Sequence, residues 1–184
     1  IDRKLRAWAM HPRRKPLILR GARQVGKTWS VVQLGKSHFK NRIHKIDLEK
    51  KVEWHSIFEG NLDISRILAE LEIVLNTRIV PGEDLLFLDE IQNCPRALMA
   101  MRYFYEELPE LHVIAAGSLL EFALKDISFP VGRVQFLEMY PLTFEEYLVA
   151  QNKEMLSEAL QRSPGKLTEV SYHLLRKELR TYFF

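Results

Sequence analysis

The chain has 184 residues, 47% of them hydrophobic and 28% charged, a balance that suits one compact core with room for a small appendage. Its net charge of +3 is too mild to argue for nucleic acid, the single cysteine, Cys94, excludes an internal disulfide, and the histidines show no metal-ligand spacing. No apolar stretch approaches membrane-spanning length and no signal peptide opens the chain, so a reducing, cytoplasmic setting is expected, and the start at Ile1 leads us to expect a longer parent protein.

Residues 2–10 read as a short leading helix, and the basic run 11–15 after it is either a solvated loop or a contact for nucleic acid or an acidic partner. Residues 16–19 are an apolar run fit for a buried strand, which is placed at residues 17–20. Gly21, Ala22, Arg23, Gln24, Val25, Gly26, Lys27 and Thr28 then match the phosphate-binding pattern G-x-x-x-x-G-K-[ST] at each fixed position. The glycines let successive N–H groups converge on an anion, and the helix resuming at Trp29 adds its dipole. Lys27 is placed for the β- and γ-phosphates of a nucleotide and Thr28 for a magnesium ion bridging them, with residues 21–29 as the expected nucleotide contacts. Arg23 and Gln24 are expected to turn their side chains away from the phosphates.

Residues 42–48 alternate and read as a second strand. Asp63 is placed as the N-cap of a helix carrying Ile64, Ile67, Leu68, Leu71 and Leu75 on one face. Pro81 and Gly82 turn the chain into residues 84–90, an apolar strand ending in two carboxylates, the pattern of a Walker B strand. At the carboxyl end of a buried parallel strand Asp89 suits a magnesium ion, while Glu90 suits orienting or deprotonating a water. Gln92 and Asn93 are candidate sensors of nucleotide state, Asn93 equally a cap for a helix from Pro95 to Leu108. Residues 111–118 make another short strand. Its last residue, Ser118, either hydrogen-bonds the γ-phosphate or attacking water, or caps a helix starting at Leu119 with Glu121 completing a capping box. A last strand spans residues 134–139. Thr143 and Glu146 spell a further capping box, and helices over 154–161 and 167–182, with Leu167, Val170, Leu174 and Leu179 inward, complete a small helical subdomain over 141–184 behind a core of residues 1–140.

Strands alternating with helices read as a layered α/β domain with a parallel sheet. One strand intervenes between the phosphate-loop helix and the Asp89–Glu90 strand, which, together with Glu90, separates the additional-strand catalytic-glutamate ATPases from P-loop kinases and GTPases. More specifically, residues 21–28, 87–95, 116–120, 129–133 and 140–148 resemble the prokaryotic AAA-superfamily ATP-binding proteins whose ATPase domain precedes a restriction-endonuclease-like domain of unknown role. The resemblance covers essentially the whole chain. It implies a P-loop NTPase, a three-layer α/β/α fold with a five-stranded parallel sheet in the order 5-1-4-3-2, ATP and Mg2+ as ligands, and a nuclease-like domain following residue 184. It also puts Arg133 just before the last strand as a finger or sensor for the γ-phosphate, in the same chain or from a second copy; a surface arginine is the alternative. DNA, a regulatory protein or a homo-oligomer stay open as partners. Two readings of activity follow: an ATPase using Lys27, Thr28, Asp89 and Glu90 for in-line attack of water, or a nucleotide-dependent switch with little turnover, with a P-loop kinase disfavoured.

Overall fold

The computed structural model describes residues 1–118, 132–161 and 167–183. They cluster into two compact units, Ile1–Tyr140 and Pro141–Phe184. The first unit is built on five strands, β1 (Leu17–Arg20), β2 (Ile43–Asp47), β3 (Leu85–Asp89), β4 (His112–Gly117) and β5 (Gln135–Glu138). They pair in parallel in the order β2-β3-β4-β1-β5, which is the expected order read from the other edge. The central strands β3 and β4 are buried throughout and β1 nearly so, as expected of strands covered on both faces, whereas the edge strands β2 and β5 stay half wet.

Side chains alternate across the sheet, so successive residues of one strand feed two different cores. Leu85 and Phe87 of β3 join Leu17, Leu19 and Ile114 beneath α1 (Asp2–Met10) and α2 (Lys27–His38), which contribute Leu5, Trp8, Val31 and Leu34. Leu86 and Leu88 face the other way, with Ile18 and Val113, against α3 (Ile64–Leu75) and α4 (Pro95–Glu107), which bring Ile67, Leu71, Leu98, Met101 and Phe104. Asp63 caps α3 as its sequence position implies, its side chain accepting from the Arg66 N–H at 2.7 Å. The cap of α4 differs from expectation. Cys94 occupies that position without a side-chain bond, and Asn93 is spent in the short 3₁₀ turn Ile91–Asn93. The helix expected after Ser118 lies outside the described residues.

Much of the basic run 11–15 is built into the amino-terminal edge of the sheet. Lys15 Nζ donates to the Gly132 carbonyl at 2.6 Å, and Arg14 reaches the Glu110 carbonyl and, at 3.3 Å, Nδ1 of the buried His112. The opposite nitrogen, Nε2, faces the Ala9 carbonyl at 3.2 Å, while the Trp8 and Phe39 rings stand edge-on to the imidazole with centroids 5.9 and 4.7 Å away. Burial, reinforced by Arg14 and His38, holds the His112 pKa down at about 4.

Among the described residues the second unit holds α5 (Phe144–Ala150), α6 (Glu154–Leu160) and α7 (Glu169–Phe183). Thr143 and Glu146 form the reciprocal capping box. Tyr182 packs on the Phe144 and Tyr147 rings, with centroids 5.6 and 5.4 Å away, and its hydroxyl donates to the Leu142 carbonyl at 2.5 Å. The inward face of α7 corrects the sequence reading: Leu175 and Glu178 are buried, whereas Val170, Leu174 and Leu179 are 69%, 45% and 39% exposed. The helix is rotated onto the Leu175–Glu178–Tyr182 stripe because Glu178 holds an ion pair with Lys153 (2.6 Å) and Tyr182 holds the aromatic cluster.

Candidate functional site

The chain leaves β1 at Arg20 and enters a tight loop that the glycines make sterically possible. Gly21 passes so close to β5 that an added Cβ would collide with the Met139 carbonyl oxygen, while Met139 N–H pairs with the Arg20 carbonyl at 2.8 Å. Gln24 and Gly26 both take left-handed backbone angles, φ 62° and 91°, and Gly26 hands the chain to α2 at Lys27. Lys27 is buried and folds back over the loop, Nζ donating to the Gly21 and Ala22 carbonyls at 2.9 and 2.6 Å. Burial lowers its pKa against the opposing pull of Glu90 and Asp89, with Arg23 adding to the lowering.

Thr28, the next residue of α2, donates its hydroxyl across to β3, 3.1 and 3.0 Å from the two oxygens of the buried Asp89 carboxylate. Parallel strands all deliver their carboxyl ends to the same edge as the phosphate-loop turn, and this geometry brings together residues separated by about sixty positions. Glu90, next in the chain, sits in the left-handed region at φ 53°, an uncommon conformation for a residue with a side chain and one that costs of order 1 kcal/mol or more. Gln92 Nε2 donates to Glu90 Oε2 at 2.6 Å, while Gln92 Oε1 is buried without a partner among the described residues. Arg23, Gln24, Gly26, Lys27, Thr28, Trp29, Glu49 and Glu90 line an open crevice of about 440 Å³. Trp29, largely exposed, also borders a smaller groove of about 180 Å³ between α1 and α2.

Ser118 lies one residue past β4 at the same sheet edge, buried, with its Oγ unpartnered among the described residues. Arg133 is elsewhere. It precedes β5, so it lies at the amino-terminal edge of a parallel strand whose four residues put about 10 Å between its ends. There its Nε pairs with Glu106 at 2.8 Å. The geometry of this chain therefore places Arg133 at the opposite end of β5 from the crevice, paired with Glu106.

Two residues that the sequence reading passed over belong to the site. Glu49, two positions beyond β2, lines the crevice beside Glu90, and Lys45 of β2 places Nζ 2.9 Å from Asp89 Oδ2. The signal was the adjacency of β2 and β3. Once those strands are neighbours in register Lys45↔Phe87 and Asp47↔Asp89, a lysine on that face of β2 is within reach of Asp89.

Comparisons with known proteins agree with this fold. No curated protein matches the chain. Among solved structures, the Walker-type ATPase PABY2304 of Pyrococcus abyssi superposes with a TM-score of 0.51 at 20% identity, over 95% of this chain and 64% of that one. The Drosophila ORC bound to DNA superposes with a TM-score of 0.54 at 11% identity, over 87% of this chain and 48% of that one. This chain thus spans less than two thirds of either, and at such identities the likeness establishes the α/β P-loop NTPase fold. A family model described as an AAA domain matches residues 13–148. The chain belongs to the AAA domain family.

Proposed function

We propose that the crevice binds Mg-ATP and that the chain hydrolyses it to ADP and phosphate, slowly in isolation, to drive or regulate a partner domain. The observation that carries this reading is the meeting of Thr28 with Asp89 at 3.0–3.1 Å beside the Lys27 loop, with Glu90 at the same strand end. Magnesium takes a few protein oxygens and completes its shell with water and phosphate oxygens, and one hydroxyl against one buried carboxylate fits that demand. When bound, the ion would offset negative charge on the β- and γ-phosphate oxygens. Lys27 would leave its loop carbonyls for the phosphates, the loop N–H groups would hold the anion, and Ser118 would offer a hydroxyl to the γ-phosphate or the water. Glu90 would orient the attacking water and accept its proton.

The switch reading is kept by one contact: the Gln92 amide holds Glu90 Oε2 at 2.6 Å, engaging the acceptor that a water-activating role needs. Glu90→Gln separates the two. Under the hydrolase reading ATP still binds, but phosphate release falls by about a hundredfold or more. An unchanged rate of release removes Glu90 from the chemistry and leaves the switch. Running the same assay with and without duplex DNA tests a partner of the kind seen on the Drosophila ORC.

A further inference from the structure

Asp89 is 4% exposed, and a carboxylate stripped of water at that depth needs a cation or several hydrogen bonds. Thr28 supplies a hydroxyl; the cation comes from Lys45, with Nζ 2.9 Å from Oδ2. This lysine stands on the edge strand β2, its side chain 35% exposed and its ammonium 6.0 Å from the Phe87 ring centroid. From a register position opposite Phe87 it crosses diagonally to Asp89, two residues further along β3. Asp47, directly opposite Asp89 in register, is taken up by its own turn, Oδ1 accepting from the N–H groups of Glu49 and Lys50 at 3.2 and 3.0 Å. The strand pairing thus tethers a positive charge on the carboxylate that the proposed nucleotide site assigns to a divalent ion.

We propose that Lys45 is an internal competitor for that ion: its ammonium holds Asp89, and a divalent cation binds there by displacing it. An ammonium within hydrogen-bonding distance of Oδ2 and a doubly charged ion on the same carboxylate repel each other strongly in so sheltered a place, so the two occupancies exclude one another. Free magnesium has to overcome Lys45 on its own. Magnesium arriving with a polyphosphate brings further ligands and prevails. Lys45 therefore makes the site respond to Mg2+ and nucleotide together rather than to Mg2+ alone. This inference rests on the nucleotide reading above and adds a regulating residue to it.

The test compares the full chain with Lys45→Met, which keeps the apolar stem and removes the charge, and Lys45→Arg, which keeps the charge. ATP affinity is titrated against Mg2+ by calorimetry, and thermal denaturation is followed in EDTA and in saturating Mg-ATP. Lys45→Met should reach half-maximal ATP affinity at about tenfold lower Mg2+, a modest share of what Coulomb's law allows for a sheltered pair. Lys45→Arg should need at least as much Mg2+ as the parent chain. In EDTA Lys45→Met should melt below the parent, because Asp89 loses its counter-ion, and saturating Mg-ATP should close that gap. A magnesium midpoint unmoved in Lys45→Met, or a melting deficit that persists in Mg-ATP, overturns the proposal and reduces the pair to a structural ion pair. If the parent chain binds no ATP at any magnesium concentration, the nucleotide reading fails first and this one with it.

Discussion

Lys27 spends its ammonium on two loop carbonyls at 2.9 and 2.6 Å, and under the proposed function it exchanges them for phosphate oxygens. Removing one charge-assisted hydrogen bond to phosphate from such a nest costs about 1.5–3 kcal/mol, so Lys27→Ala should weaken ATP binding by about tenfold or more. Calorimetry giving equal affinities for the two chains would count against the assignment. At Asp89 the expected effect differs in kind. Asp89→Asn keeps the hydrogen bond from Thr28 but drops the charge, so ATP affinity should lose its dependence on Mg2+ more than its magnitude. Both residues stood out in the sequence, because a phosphate loop is a local pattern with one dominant use and a carboxylate at a strand end takes its meaning from being paired with that loop.

The elements behave as their patterns dictate where the pattern is local. α3 begins at a capping Asp63 and buries Ile64, Ile67 and Leu71 at helical spacing. Ile67→Ala leaves a cavity in the core beneath α3 and α4 and should cost about 2–5 kcal/mol, whereas Asp63→Ala forfeits one cap bond and should cost about 1 kcal/mol. Urea unfolding that ranks the two in the opposite order would show that the cap, not the buried stripe, anchors this helix. Gly21 is a demand of a different type. Its Cβ would strike the Met139 carbonyl where the chain runs on past the end of β5, so Gly21→Ala should lower the melting temperature and ATP affinity together. The glycine was recognised from the motif, but the reason for it lies beside β5, at the far end of the same unit.

For the molecule as a whole, His112 ties the end of α1 and Arg14 to β4 and should set an acid limit on stability. In the fold it gives up its proton at about 4, below its ordinary 6.5, so the unfolded chain binds a proton that the folded chain refuses. Its contribution is complete above 6.5 and drains as the pH falls towards 4, by an amount on the order of 3 kcal/mol. Urea midpoints measured from neutral to acid pH should fall across that window in the parent chain and fall less in His112→Gln. Arg133 gives the counterpart at the same amino-terminal edge. Paired with Glu106 away from the crevice, Arg133→Ala should leave both ATP affinity and phosphate release of the isolated chain unchanged; a fall in release would mean that the residue reaches a site in a second copy.

Phosphate loop, carboxylate strand, the caps at Asp63 and Thr143 and the alternation of strand with helix were readable from residues alone, since each depends on backbone conformation over a few neighbouring positions. The strand order came with the family resemblance. Strand direction and register decided the rest. A residue preceding a parallel strand lies at the edge away from the crevice, and this set Arg133 beside Glu106. The pairing of β2 with β3 put Lys45 on Asp89, a contact between strands far apart in the chain that neither segment spells out. On α7 several apolar stripes competed, and the Glu178–Lys153 pair and the Tyr182 cluster selected the buried one. Local patterns specify which conformation a segment takes and which residues share a face. Which faces meet, and which charges end up on one carboxylate, depends on contacts made only when distant segments pack.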